Sequence, residues 1–298
     1  MRISVLQQQL KGLYNFRNES PELEYLQAIA NETVDDCFRM MMEAVREKAD
    51  LVVTVETVNN CFALGDTRFS YPEVYEGLDG PTVKRFSDFA KEHKIHIVAG
   101  LLLTIDGKTY NCAVLFDSKG EIVGIHKKVH LPAGEELNVA YGDKFEVFNT
   151  EIGNIGMLVC WDMQYPEAAR ELALGGADII ACPTLGWENI YGLARAYENS
   201  VAIAAAMPYC NGGYGGYCDP SCIVDNMGRI VLAGPRDSAA VVTSDVDIAK
   251  EPLPQYNSQI FYNSNSMRKT RFVQRRPETY TLSNLPLEET PLYKRYFK

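Results

Sequence analysis

Three reactive side chains stand where strands end. The stretch Ile155-Gly156-Met157-Leu158-Val159-Cys160-Trp161-Asp162-Met163-Gln164-Tyr165-Pro166-Glu167 reads as a buried strand that delivers Cys160 to a sharp turn, with a proline-initiated helix following within six residues. Such a strand–turn–helix context exposes a nucleophile above a sheet and aims backbone N–H groups at a reacting oxygen. A structural thiol fits the same context, because free cysteine is among the most buried residue types. Val52-Val53-Thr54-Val55-Glu56-Thr57 ends an apolar strand in a carboxylate, where a purely structural role calls for an apolar or turn residue. Gly124-Ile125-His126-Lys127-Lys128-Val129-His130-Leu131-Pro132 ends another strand in a basic cluster. A carboxylate, an ammonium and a thiol at three strand ends can converge at one edge of a sheet and supply the base, the cation and the nucleophile of an acyl transfer.

At these residues the sequence resembles the nitrilase, or carbon–nitrogen hydrolase, superfamily, whose signature is a Glu–Lys–Cys triad in that chain order. The matching residues are Glu56, Lys128 in its Lys-Val-His-Leu context, and Cys160 in Cys-Trp-Asp-x-x-Tyr-Pro-Glu. The likeness extends through Gly142-Asp143, Gly176-Ala177-Asp178 to Pro183-Thr184, Arg195-Ala196-Tyr197-Glu198-Asn199, and Ser221-Cys222-Ile223-Val224-Asp225 followed by Gly228. In this family a second glutamate, shortly before a Gly-Asp, helps hold the triad. Glu135 and Glu136 both qualify, and counting back from Gly142 favours Glu135. The sequence departs from the family pattern in having Val55 where proline often precedes the first glutamate, and Tyr141 rather than proline before Gly142.

The chemistry follows from the side chains. A thiol with a pKa of about 8.5 is mostly protonated at neutral pH and needs a base and a cation beside it to attack. Glu56 is expected to take the proton from Cys160 and return it to the departing amine. Lys128 and the backbone N–H of Trp161 are expected to stabilise the tetrahedral oxyanion, one such donor commonly contributing about 3 kcal/mol. Water activated by Glu56 then hydrolyses the thioester. The cycle requires no metal or other cofactor.

Rival readings are weaker. His126 and His130 are four residues apart, but along a strand that spacing is about 13 Å, too far for a local zinc pair. With Lys127 they are expected to line the entrance, to support the site from behind, or to lie at the surface. Cys210, Cys218 and Cys222 lack a Cys-x-x-Cys pair, and Gly212-Gly213-Tyr214-Gly215-Gly216 lacks the strand–helix context of a nucleotide loop, so a flexible loop near a pocket mouth is expected there. A papain-like protease needs a catalytic histidine, whereas all four histidines (93, 96, 126 and 130) precede Cys160. A catalytically silent binding protein on the same fold is the alternative of another class. Retention of all three triad residue types argues against it.

Substrate class is read from the nucleophile's surroundings. Within the superfamily the nitrile-hydrolysing branch tends to carry Cys-Trp-Glu, whereas Cys-Trp-Asp resembles the amidase and carbamoylase branches, and Cys-Trp-Asp-x-x-Tyr-Pro-Glu-Ala-Ala-Arg is similar to N-carbamoylputrescine amidohydrolases. Carbamoyl-amino-acid hydrolases use arginines just after the nucleophile to bind a substrate carboxylate. Met163 and Gln164 stand there instead, so a carboxylate would lose its fork partner. With Tyr165 they are the candidate substrate-binding residues. The expected substrate is a small linear amide or N-carbamoyl amine, with nitrile hydrolysis as the alternative.

The elements that must position these residues are legible as periodicities. Strands are expected at Ile3–Gln9, Leu51–Val55, Ile95–Leu103, Thr109–Phe116, Ile122–His126, Ile155–Val159, Asp178–Cys182 and Val201–Met207. Helices are expected at Glu32–Lys48, Pro81–His93, Pro166–Leu174 and Glu188–Ser200. Asp106-Gly107 and Ser118-Lys119-Gly120 signal turns, and Gly175-Gly176 signals a helix stop. Hairpins are expected at Tyr217–Val231 and Ala239–Val246. Strands interleaved with helices and then hairpins indicate an α/β fold with two β layers covered by helices, a four-layer α-β-β-α sandwich. One hydrolase domain over residues 1–263 is expected, with a basic extension over 264–298.

Composition narrows the partners. The 298 residues include 29 Lys plus Arg against 39 Asp plus Glu, a net charge of −10. Residues 264–298 carry +5, which leaves −15 on the rest. A nucleic-acid or anionic-membrane partner is not expected, because such binding relies on Lys and Arg neutralising phosphates. The longest apolar runs, around Ile97–Ile105 and Val201–Met207, fall short of the roughly 20 residues that cross a bilayer. The opening segment lacks the apolar stretch of about 7–15 residues found in signal peptides, so the eight cysteines are expected to be reduced cytosolic thiols, one of them the nucleophile. The resemblance implies a homodimer or higher homo-oligomer, with the basic extension crossing to a neighbouring subunit.

Overall fold

The computed structural model describes residues 1–11, 22–60, 75–209, 218–249 and 266–297. No helix among them is long and apolar enough to cross a membrane. The chain divides into two compact units, Met1–Lys250 and Glu251–Lys298.

The larger unit holds two six-stranded sheets. The first comprises β1 (Arg2–Gln7), β2 (Leu51–Val53), β3 (His96–Ile105), β4 (Lys108–Phe116), β5 (Ile122–Lys127) and β12 (Ala240–Asp245), in the order β12-β1-β2-β3-β4-β5. The second comprises β6 (Val147–Thr150), β7 (Gly153–Met157), β8 (Ile179–Pro183), β9 (Ala202–Ala206), β10 (Cys222–Val224) and β11 (Ile230–Ala233), in the order β11-β10-β9-β8-β7-β6. Each sheet has three neighbouring parallel strands, β1-β2-β3 in one and β7-β8-β9 in the other, extended by antiparallel strands.

The two periods of a strand explain the layering. Leu51 and Val53 face the second sheet, in a core shared with Ile3, Val5, Val98, Ile155, Met157, Ile179 and Ala204. Val52, between them, points the other way, into a core with Leu6, Ile97 and Ala99 and with Cys37, Met41, Val83 and Phe86 from helices α1 (Leu23–Arg46) and α2 (Pro81–His93). Helices α3 (Pro166–Leu174) and α4 (Asn189–Asn199) cover the second sheet. Gly156 lets α3 approach closely, since a Cβ there would stand 3.1 Å from Leu172 Cδ1. The result is the expected four-layer α-β-β-α sandwich.

Several boundaries differ from the sequence reading. Helix α1 begins at Leu23 rather than Glu32, without a side-chain cap to announce it; its first turns bury Leu26 against Tyr75, Leu102 and Val139. Strand β6 was not foreseen and pairs with β7 as a hairpin. Ala239–Val246 is no hairpin: Ala240–Asp245 forms the single strand β12, which pairs antiparallel with β1. The turn signals fare better. Asp106 and Gly107 both have positive φ (51° and 75°), as a two-residue hairpin requires, and Gly120 (82°) and Gly176 (95°) are left-handed where the chain reverses. Cys210, Gly212 to Gly216 and Tyr217 lie outside the described residues. Asp225 to Gly228 turns β10 into β11.

The second unit holds two short helices, α5 (Met267–Val273) and α6 (Pro291–Tyr296). The hydroxyls of Ser266 and Thr290 accept the Lys269 and Tyr293 amides and cap them.

Candidate active site

Glu56 leaves β2 on a turn shaped by its neighbours. Thr54 donates its amide to the Val98 carbonyl, and its hydroxyl accepts the Gly100 amide at 3.0 Å. A side chain at Gly100 would collide with the Val55 carbonyl and the Glu56 backbone. Thr57 then adopts φ 51°, a left-handed conformation that costs a β-branched residue energy and turns the chain sharply. Lys128 follows directly on β5, its amide donating to the Asn111 carbonyl at 2.8 Å. Gly142 closes against this strand end, donating to the Lys128 carbonyl and leaving no room for a Cβ beside the Lys127 carbonyl. Glu135 opens a short 3-10 helix, Glu135–Leu137.

These side chains meet in a buried cluster. Lys128, 1% exposed, places Nζ 3.0 Å from Glu56 Oε1 and 2.8 Å from Glu135 Oε2. Asn111 Nδ2 donates to Glu56 Oε1 at 2.7 Å and to Glu135 Oε1 at 2.9 Å, tying the carboxylates together. Of the two candidate glutamates, Glu135 joins the cluster, while Glu136 turns back to accept the Gly134 amide. Glu56 Oε2 is buried without a hydrogen-bond partner among the described residues. Burial opposes the Lys128 charge, but Glu56, Cys160 and Glu135 outweigh it and hold the ammonium well above its ordinary range. Burial also raises the Glu135 carboxyl; Lys128 opposes that rise and the Glu56 charge adds to it.

Cys160 arrives from the second sheet. After β7, Leu158 donates to the Ala181 carbonyl, and Cys160 turns with φ 47°, the strained conformation that lifts a nucleophile out of a strand. It begins a 3-10 helix, Cys160–Gln164, whose first amides, Trp161 included, have no partner within the helix. Burial pushes the thiol up to about 12 and the Glu56 charge reinforces the rise, while Lys128, the Leu185 amide and the Thr184 hydroxyl oppose it. The sulfur at rest is therefore a thiol with a carboxylate and an ammonium both close enough to act on it.

Sequence reasoning missed what holds this turn. Asp162 is fully buried and accepts five hydrogen bonds: from His126 Nε2 (2.8 Å) and Val159 N (3.2 Å) to Oδ2, and from Val129 N (3.2 Å), His130 N (2.8 Å) and His130 Nδ1 (2.9 Å) to Oδ1. Burial works against its ionisation, yet the His126 and His130 hydrogen bonds prevail and keep the carboxyl well below the usual range. The 13 Å expectation for the two histidines does not apply, because β5 ends at Lys127 and the chain bends, bringing His126 and His130 to the two oxygens of one carboxylate. Lys127 lies over the Tyr110 ring at 4.2 Å. No group of three or more metal-ligating side chains suited to a metal ion occurs among the described residues.

The expected substrate-binding residues have different surroundings. Met163 is fully buried beneath the turn, and the Gln164 carbonyl accepts Arg195 at 3.0 Å. Tyr165 is exposed and stacks on His130, with ring centroids 3.7 Å apart. Trp161 is 38% exposed. None of the six described cysteines is in a disulfide; Cys37, Cys112, Cys182 and Cys222 are buried.

A family model described as carbon-nitrogen hydrolase matches residues 22–251. Among curated proteins, an omega-amidase of Mus musculus is 28% identical over 259 residues, covering 78% of this chain and 88% of its own. An N-carbamoylputrescine amidase of Oryza sativa is 32% identical over 164 residues, covering 52% and 54%. A crystal structure of a carbon-nitrogen hydrolase from Helicobacter pylori superimposes with a TM-score of 0.71 at 21% identity, covering 94% of this chain and 97% of that one.

Proposed function

Because the chain belongs to the carbon-nitrogen hydrolase family, we propose that it hydrolyses the C–N bond of a small linear amide or N-carbamoyl amine through a thioester on Cys160 and releases ammonia. The observation that carries this reading is the buried Lys128 ammonium held between Glu56 and Glu135, with the Cys160 thiol within electrostatic reach of both Lys128 and Glu56.

In the proposed cycle, Glu56 takes the thiol proton as the sulfur attacks the carbonyl carbon, and the unpartnered Oε2 is the oxygen free to receive it. The carbonyl π electrons move to oxygen, where Lys128 Nζ and the Trp161 amide stabilise the anion. The C–N bond then breaks as Glu56 passes its proton to nitrogen, and ammonia or an amine leaves. Glu56 deprotonates water, which adds to the thioester; the C–S bond breaks, and the proton returns to sulfur. Glu135 and Asn111 act by fixing Lys128 and Glu56. The amidases among the relatives, together with Asp162 rather than glutamate after Trp161, support an amide over a nitrile substrate. Tyr165, exposed beside the turn, is the preferred substrate contact of the three residues after Asp162.

A panel of simple amides, N-carbamoyl amines, N-carbamoyl amino acids and nitriles, read by ammonia release, tests this function. Turnover of a simple amide or N-carbamoyl amine that is lost in Cys160→Ala is the expected result; activity confined to nitriles, or retained in Cys160→Ala, would sink it. We further infer a cytoplasmic homo-oligomer to which the basic residues 264–298 contribute subunit contacts, so that truncation after residue 263 lowers the sedimentation coefficient of the assembly.

A further inference from the structure

A second group of charged residues meets at the other end of the sandwich. Strands β2 and β3 begin there, at Leu51 and His96, whereas Glu56 and Cys160 lie beyond the C-terminal ends of β2 and β7. The length of strand from Asp50 to Glu56 separates the two ends by roughly 15–20 Å. A cleft of about 580 Å³ opens at this end, and Lys91, Lys94, Lys119, His96, Ser118 and Glu151 are among the residues that line it.

The charges of the cleft are unevenly matched. Its two carboxylates accept neutral donors and keep their charges, Glu151 from the Ser118 hydroxyl at 2.5 Å and Asp50 Oδ2 from the Arg2 amide at 2.7 Å, so three ammoniums stand against two carboxylates. The ammoniums of Lys91, Lys94 and Lys119 have no ion-pair partner among the described residues, although the protein carries ten more acidic than basic side chains. Two of them belong to the C-terminal end of α2, where cations complement the helix dipole. Lys119 comes from the turn between β4 and β5 and has no such reason to be there. Beneath them His96 is 2% exposed, and its Nε2 lies 3.4 Å from Glu151 Oε2.

We propose that this cleft is a binding site for a small phosphate-bearing anion, separate from the thiol centre. Three ammoniums on flexible stems from two elements are point charges that can close on a tetrahedral, many-oxygen anion, whereas a planar carboxylate is better matched by the fork of arginine, which the cleft lacks.

Isothermal titration of the full chain with inorganic pyrophosphate, in buffer held at constant ionic strength with potassium chloride, tests the site. Saturable binding is expected in the wild type and, unchanged, in Cys160→Ala, which separates this cleft from the substrate pocket. The triple variant Lys91→Ala, Lys94→Ala, Lys119→Ala is expected to bind about tenfold more weakly or worse, as is Lys119→Ala to a smaller degree; the single change, on an exposed turn, serves should the triple variant not fold. Absence of wild-type binding, or equal affinity in the folded lysine variants, overturns the site. Binding of citrate without binding of pyrophosphate overturns the phosphate assignment.

Discussion

Lys128 Nζ stands 3.0 Å from Glu56 Oε1, while Oε2 of the same carboxylate is buried with no hydrogen-bond partner among the described residues. One oxygen is anchored and the other keeps its lone pairs for a proton. Glu56 is thus fixed by the group that also compensates its charge, and a single ammonium serves two buried carboxylates.

That sharing makes Lys128 structural as well as chemical. In Lys128→Met two like charges remain buried without a cation, and the unfolding free energy is expected to fall by about 3–5 kcal/mol, the usual result of breaking a buried pair. Ammonia release falls by about a thousandfold or more. Adding Glu135→Gln removes one of the stranded charges and should restore part of the stability but none of the activity. Denaturant unfolding of the single and double variants checks this. A single variant as stable as the wild type would contradict the shared-cation arrangement.

Asn111 offers a sharper test, because its amide nitrogen bonds both glutamates. Asn111→Asp keeps the shape but replaces a donor with a third carboxylate in the same buried cluster. Asn111→Ala only deletes the donor. The aspartate variant is therefore expected to lose more kcat/KM than the alanine variant, each lost charge-assisted bond contributing about 1.5–3 kcal/mol. The opposite ranking would show that Asn111 does not act as a donor.

Much of this site can be read from the chain, for reasons that residues make plain. Glu56, Lys128 and Cys160 each interrupt an apolar strand pattern at its end, so their candidacy is legible; the expected single sheet edge is not what joins them, because Glu56 and Lys128 follow strands of the first sheet and Cys160 follows β7 of the second. Asn111 also interrupts one, within Tyr110–Phe116, but in the middle of a strand that is buried on both sides, where nothing local says which carboxylates it faces. The Asp162 clamp was hidden by geometry: a strand assumed to continue past Lys127 sends His126 and His130 apart, and only the bend after β5 brings them together. Ala239–Val246 carries the pattern of a hairpin, and antiparallel patterning does not reveal that the partner of β12 is β1, at the other end of the domain sequence. Local period is written in sequence, and the identity of a distant partner is not.

The Cys160 thiol, pushed up to about 12 by burial and by Glu56, is protonated at rest. The difference in thiolate ultraviolet absorbance between wild type and Cys160→Ala should therefore show no titration step between about pH 5 and 9, where an exposed cysteine begins to ionise. A step near neutral pH would mean a preformed thiolate and would remove the need for Glu56 to accept a proton before attack.

Asp162 gives the clearest pH dependence. Its folded pKa is depressed below the unfolded value of about 3.9, so its stabilising contribution is complete above that value and is lost as the pH falls toward and through the folded one. Asp162→Asn cannot accept all five donors on two ionised oxygens, and the cost at neutral pH is expected to be about 3 kcal/mol. The gap between wild type and variant should then narrow on acidification below about pH 4, because the wild type loses the ionised carboxylate that the variant never had. Activity should fall as well, since Asp162 ties the turn that presents Cys160 to the strand end that presents Lys128. Chemical denaturation from neutral pH down to about pH 3 measures the gap. A difference that stays constant over that range would mean that the ionised carboxylate is not what holds the turn.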